Sequence, residues 1–130
     1  MAFSNDISLH IFNADLGYSA GVNLFESRLP GSPVNAVAIF ETGGQSKMAD
    51  KYIEDIRHPS FNIMVRNDDY ATGMALANNI KREFHDLIGQ TVGGTFFYYC
   101  FAVGEPRHLG QDEQGADLIS IDFDCKVRNA

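Results

Sequence analysis

A chain of 130 residues, 45% of them hydrophobic and 21% charged, has the balance of an ordinary folded domain, so one domain is expected over residues 1–130. At this length roughly two-thirds of the unfolded surface can be buried, so no disulfide or metal is needed to hold a core. The net charge of −7, from 17 acidic and 10 basic residues, argues against tight binding to a nucleic-acid backbone, which needs clustered Lys and Arg.

Residues 4–16 have helical spacing, with Ser4 as N-cap and Gly17 as the stop. Phe3, Ile7, Ile11 and Ala14 form one apolar stripe, and Leu9, Phe12 and Leu16 a second. So short a helix is marginal alone and must dock on something. An extended piece follows at 22–27, then the turn Leu29-Pro30-Gly31-Ser32-Pro33. Residues 34–41, VNAVAIFE, read as a strand buried on most of both faces. Residues 45–59 are polar and mixed in charge, and suit a surface loop with a helical turn near 49–56.

Residues 60–66 alternate, with Phe61, Ile63 and Val65 on one face. Asn67, Asp68 and Asp69 are all able to cap the helix expected at 69–88. Its stripe is Tyr70, Met74, Ala77, Lys81, Phe84 and Ile88, widened by Gly73, Leu76, Ile80 and Leu87, with Gly89 as C-cap. The small Gly73 and Ala77 predict a close neighbour near its start. Residues 90–94 read as a turn. Residues 95–103, TFFYYCFAV, are aromatic on both faces, which predicts a central strand. The polar stretch 104–115 reads as a loop, joining this strand antiparallel to the next.

Residues 118–127 close the pattern with strict alternation. Ile119, Ile121, Phe123, Cys125 and Val127 should face the long helix. Asp122, Asp124 and Lys126 should face solvent, a neighbour or a channel. The expected fold is therefore α/β in the α+β sense: a mixed, mainly antiparallel sheet, a long helix packed on one face, and a short N-terminal helix.

Few residues invite chemistry. His10, His58, His85 and His108 lack metal-ligand spacing, and no serine sits in a GxSxG context. Cys100 and Cys125 lie in strand-like segments without CxxC spacing, so they read as small buried hydrophobes. No catalytic residue, cofactor or metal is expected. The longest apolar run, 96–103, is too short to span a bilayer, and residues 1–6 lack signal-peptide features, so a cytoplasmic product with no membrane partner is expected.

Three stretches together resemble the tail terminator family of long-tailed bacteriophages, also labelled tail completion or minor capsid proteins. They are residues 23–30 through 40–44, the strand–turn–helix PSFNIMVRNDDYATGMALANNIKREFHDLIG at 59–89, and GEPRHLGQDE at 104–113 before the alternating strand. The resemblance implies a virion subunit, assembled in the host cytoplasm, that forms a hexameric ring. The ring would cap the tail tube protein, join the head connector, and let DNA pass its bore without specific binding; an acidic wall suits that passage. Arg66, Glu105, Arg107 and Asp112 are the expected interface residues. Two other readings stand beside this one: a neck or head-completion subunit, and a small hydrolase or ligand-binding domain, which would need a polar pocket with converging His and carboxylates.

Overall fold

The computed structural model describes residues 3–14, 16–44, 56–85 and 87–129. In chain order the elements are α1 (Phe3–Asn13), β1 (Leu24–Glu26), β2 (Ala36–Glu41), β3 (Ser60–Asn67), α2 (Tyr70–His85), β4 (Gln90–Val92), β5 (Thr95–Ala102), β6 (Arg107–Gln111) and β7 (Asp117–Asn129). The strands form one sheet in the order β1-β2-β3-β7-β5-β4, with β6 also paired to β7. Among the described strand pairs only β1–β2 is parallel; the others are antiparallel. The sheet is therefore mixed and mainly antiparallel, as the sequence predicts.

The alternation in β3 and β7 decides which face is buried. Phe61, Ile63 and Val65 stand opposite Phe123, Ile121 and Ile119 in register, and all six are buried. Phe61 stacks on Phe123 with centroids 4.9 Å apart. Phe61 also meets Phe3 of α1 at 5.8 Å and Phe84 of α2 at 5.4 Å, so both helices lie on one face of the sheet. Each such side chain contributes on the order of 1.5–3 kcal/mol by leaving water. His10 of α1 donates from Nε2 to the Glu83 carbonyl (3.1 Å) and lies against the Phe84 ring, which joins the two helices.

The helices differ in detail from the sequence expectation. α1 starts at Phe3 and buries Phe3, Ile7 and Ile11, while Leu9 of the second stripe is exposed and Leu16 is half-buried against the core. α2 ends at His85, and its buried line is Gly73, Leu76, Ala77, Ile80 and Phe84. Tyr70 and Ile88, expected on the stripe, are exposed: Tyr70 lies edge-on to His108, and Ile88 falls beyond the last helical turn. Gly89 has φ of +64°, but its N–H bonds to the Tyr98 carbonyl of β5, so it leads into β4 and does not cap the helix. The helical turn expected near residues 49–56 lies almost wholly outside the described residues; Ile56 is buried.

The second half of the chain holds two strands that were expected as turn and loop. Residues 90–92 pair with β5 across Gly93-Gly94, making β4. Residues 107–111 pair with the first part of β7, making β6. Consequently β5 and β6 lie along β7 one after the other, separated by the 103–106 loop, and the connection to β7 is a short turn at 112–116. Polar composition hid β6 because its residues are mostly exposed and gain only backbone bonds from pairing.

β5 is flanked by β4 along Thr95–Phe97, with one further bond from Gly89 to Tyr98; past Tyr98 it has no partner strand on that edge among the described residues. A register shift between Phe97 and Tyr99 interrupts its alternation. Phe97 and Cys100 thus share the core face, while Tyr99 and Phe101 turn outward and stack at 5.9 Å.

Candidate functional site

The four residues expected at an interface fall in different settings. Arg66 is 6% exposed and belongs to its own subunit's interior. Its Nε donates to the Val34 carbonyl (2.8 Å) and its Nη2 to the carbonyls of Pro33 (2.7 Å) and Pro30. β3 thus uses Arg66 to pin the 30–34 loop, whose prolines leave carbonyls without the usual backbone partners.

Asp112 closes the β6–β7 turn. Its Oδ1 accepts from the N–H groups of Gln114 and Ala116, both at 2.9 Å, and its own N–H donates to the Ala116 carbonyl. That arrangement leaves the side chains of Glu113 and Gln114 pointing outward at the tip, both exposed.

Glu105 and Arg107 are brought together at the 103–106 loop, where with Val103, Gly104, Ser120 and Asp122 they line a depression of about 160 Å³. Glu105 reaches back to Lys81 of α2 at 2.9 Å. Arg107 pairs with Asp122 at 3.4 Å on the helix-free face, with both side chains largely open to solvent. Asn62 donates from Nδ2 to both Ser120 (2.5 Å) and Asp122 (2.9 Å), extending this polar row across β3, β7 and β6. Sequence alternation located Asp122 on this face but not the Asn62 and Ser120 partners, because register is a tertiary property.

Two other polar sites were not foreseen. Asp6, 1% exposed, accepts from the Thr95 hydroxyl (2.5 Å) and the Gly94 N–H (3.3 Å), which fixes α1 to the β4–β5 turn. Its only sequence signal is an acidic residue in a first helical turn. His108 bonds to the buried Asp117 through Nε2 at 2.9 Å, next to the Tyr70 ring.

Two further concave places lie among the described residues. A groove of about 350 Å³ on α2 is lined by Asn78, Lys81, Arg82 and His85. A pit of about 110 Å³ gathers Gly44, His58, Tyr99, Phe101, Asp124 and Cys125. The pit is poorly equipped for nucleophilic chemistry. Cys125 is 2% exposed and its thiol donates to the Pro59 carbonyl at 3.3 Å. Its neighbour Cys100, also a free thiol, has its pKa pushed well up, first by their mutual hydrogen bond and then by burial, so it stays protonated and weakly nucleophilic.

Among the described residues no three His, Cys, Asp or Glu side chains converge as a metal would require. Nor is any helix among them long and apolar enough to cross a membrane.

The family model described as bacteriophage tail terminator protein matches residues 6–129. Among solved structures, a chain from the virion of a native gene transfer agent particle superposes with a TM-score of 0.62. The match covers 98% of this chain and 100% of that one at 11% identity, a likeness of fold. No curated protein matches.

Proposed function

The chain belongs to the bacteriophage tail terminator protein family, a structural virion protein, and from that membership we propose that it works without catalysis, as one subunit of a ring that caps the finished tail tube. The ring is hexameric in this reading. One side meets the tail tube protein, the other the head connector, and the genome passes through the bore without specific binding. Assembly takes place in the host cytoplasm.

The observation that carries the reading is the family match over residues 6–129, nearly the whole chain. The molecule's own features agree with it. A net charge of −7 suits a channel wall that must not trap phosphates. The interface residues proposed here are Glu105 and Arg107, which are exposed and adjacent, with Asp112 acting through the turn it holds and Arg66 through the 30–34 loop.

Electron microscopy of particles made without this protein tests the role. Overlong tails are the expected outcome, because nothing stops tube growth. Tails of normal length, lying detached beside filled heads, would instead identify a neck subunit.

A further inference from the structure

We propose that the α2 groove lined by Asn78, Lys81, Arg82 and His85 receives the acidic β6–β7 turn, led by Glu113, of a second copy of this chain. The inference rests on the ring reading and supplies the contact that would join neighbours in it.

Charge singles out the groove. In a chain of net charge −7 its described lining is Asn78, Lys81, Arg82 and His85; Lys81 is already paired with Glu105 of its own subunit, which leaves Arg82 as the cation to be matched. The other lysines and arginines of the described residues each touch a carboxylate, an amide or carbonyl oxygen, or an aromatic ring. Arg82 has no such contact among the described residues, and its side chain is exposed. The negative end of the helix dipole favours cations near a C-terminus. That explains the charge on α2 but not the concavity.

The turn is the complementary piece. Asp112 holds residues 112–116 with four hydrogen bonds, two to its side chain and two through its own backbone, so the tip is ordered before it binds and little entropy is lost on docking. Glu113 projects from it without a carboxylate-binding partner among the described residues, and Asp112 adds a second negative charge behind it.

Position excludes the same contact within one subunit. His108 of β6 lies 4.8 Å from the ring of Tyr70, the first residue of α2, so the turn sits at the N-terminal end of that helix. Arg82 is twelve residues further on, about 18 Å along the axis at 1.5 Å per residue. Two different surfaces, far apart on one molecule and complementary in charge, make a head-to-tail contact between copies, the kind that generates rings.

Charge reversal tests this on the full chain, both alone and mixed with sheared tail tubes. Mass is read by light scattering and tube ends by electron microscopy. Arg82→Glu and Glu113→Lys should each lower the assembled fraction at least about tenfold, since like charges then face each other. The double variant Arg82→Glu/Glu113→Lys should recover it. Both side chains are exposed, so thermal melts of the singles should match the unaltered chain. Singles that assemble normally, or a double no better than the singles, overturn the contact while leaving the ring reading intact. Normal rings that no longer hold tube ends also overturn it, by assigning the groove to the tube protein. An unaltered chain that stays monomeric both alone and on tubes overturns the ring reading itself.

Discussion

Arg66 and Arg107 show how little residue type alone says about a role. Both are arginines near strand ends, yet one is 6% exposed and donates to three carbonyls, while the other has a 63% exposed side chain and a single 3.4 Å partner. Arg66→Met removes buried charge-assisted hydrogen bonds and frees the 30–34 loop, so urea denaturation should show a loss of about 3 kcal/mol. Arg107→Ala should cost less than about 1 kcal/mol, as exposed pairs do. Asp69 supplies a third case. Its Oδ2 accepts from the Thr72 hydroxyl (2.5 Å) and the Thr72 N–H (3.1 Å), which together hold its pKa below the usual aspartate value. A depressed carboxylate stabilises the fold above its unfolded pKa and stops doing so as pH falls through its folded one. The melting difference between the unaltered chain and Asp69→Ala should therefore be present at neutral pH and shrink in acid, below the ordinary aspartate range.

At the scale of elements, α2 is positioned by what its small residues allow. A Cβ on Gly73 would lie 3.0 Å from Asn67 Cβ and 3.1 Å from Ile119 Cδ1. Asn67 is anchored in β3, where its Oδ1 accepts the Asp69 N–H, so it has little room to shift. Gly73→Val should push the helix off the sheet and cost more than about 2 kcal/mol, against the gain a larger residue usually brings to a helix interior. Chemical denaturation and near-ultraviolet circular dichroism would detect the change. The same element shows where sequence periodicity misled. Its apolar positions span a wide arc, and which part becomes core depends on the strands beneath. Tyr70 lies outside that core, edge-on to the His108 ring.

For the whole molecule, the sheet presents one face to α1 and α2 and leaves the other to polar side chains and to Tyr99 and Phe101, at 39% and 41% exposure. The far part of β5 and the outward side of β6 are strand edges without a partner strand among the described residues. Exposed edges left unprotected invite pairing with other chains. A ring whose subunits cover one another would protect them, and the charge-reversal and overlong-tail outcomes above are its measurable consequences.

The sequence by itself determined the class of fold, the core strands β3 and β7, the long helix between β3 and the later strands, and the absence of a recognisable catalytic motif. Those features are written in local periodicity: strict alternation over residues 118–127 leaves only one face to bury, and a broad apolar arc after Asn67-Asp68-Asp69 leaves only a helix. The family resemblance was legible for a related reason, since it rests on three stretches whose order and spacing survive in one dimension. Only the tertiary structure decided that Arg66 is interior, that Asp6 fastens α1, that polar residues 107–111 form a strand, and that a bulge turns Tyr99 and Phe101 outward. Each of these depends on pairing with residues far away in the chain. A polar segment becomes a strand when a neighbour offers its backbone, and an arginine becomes buried when carbonyls converge on it, and neither condition is visible before the chain folds.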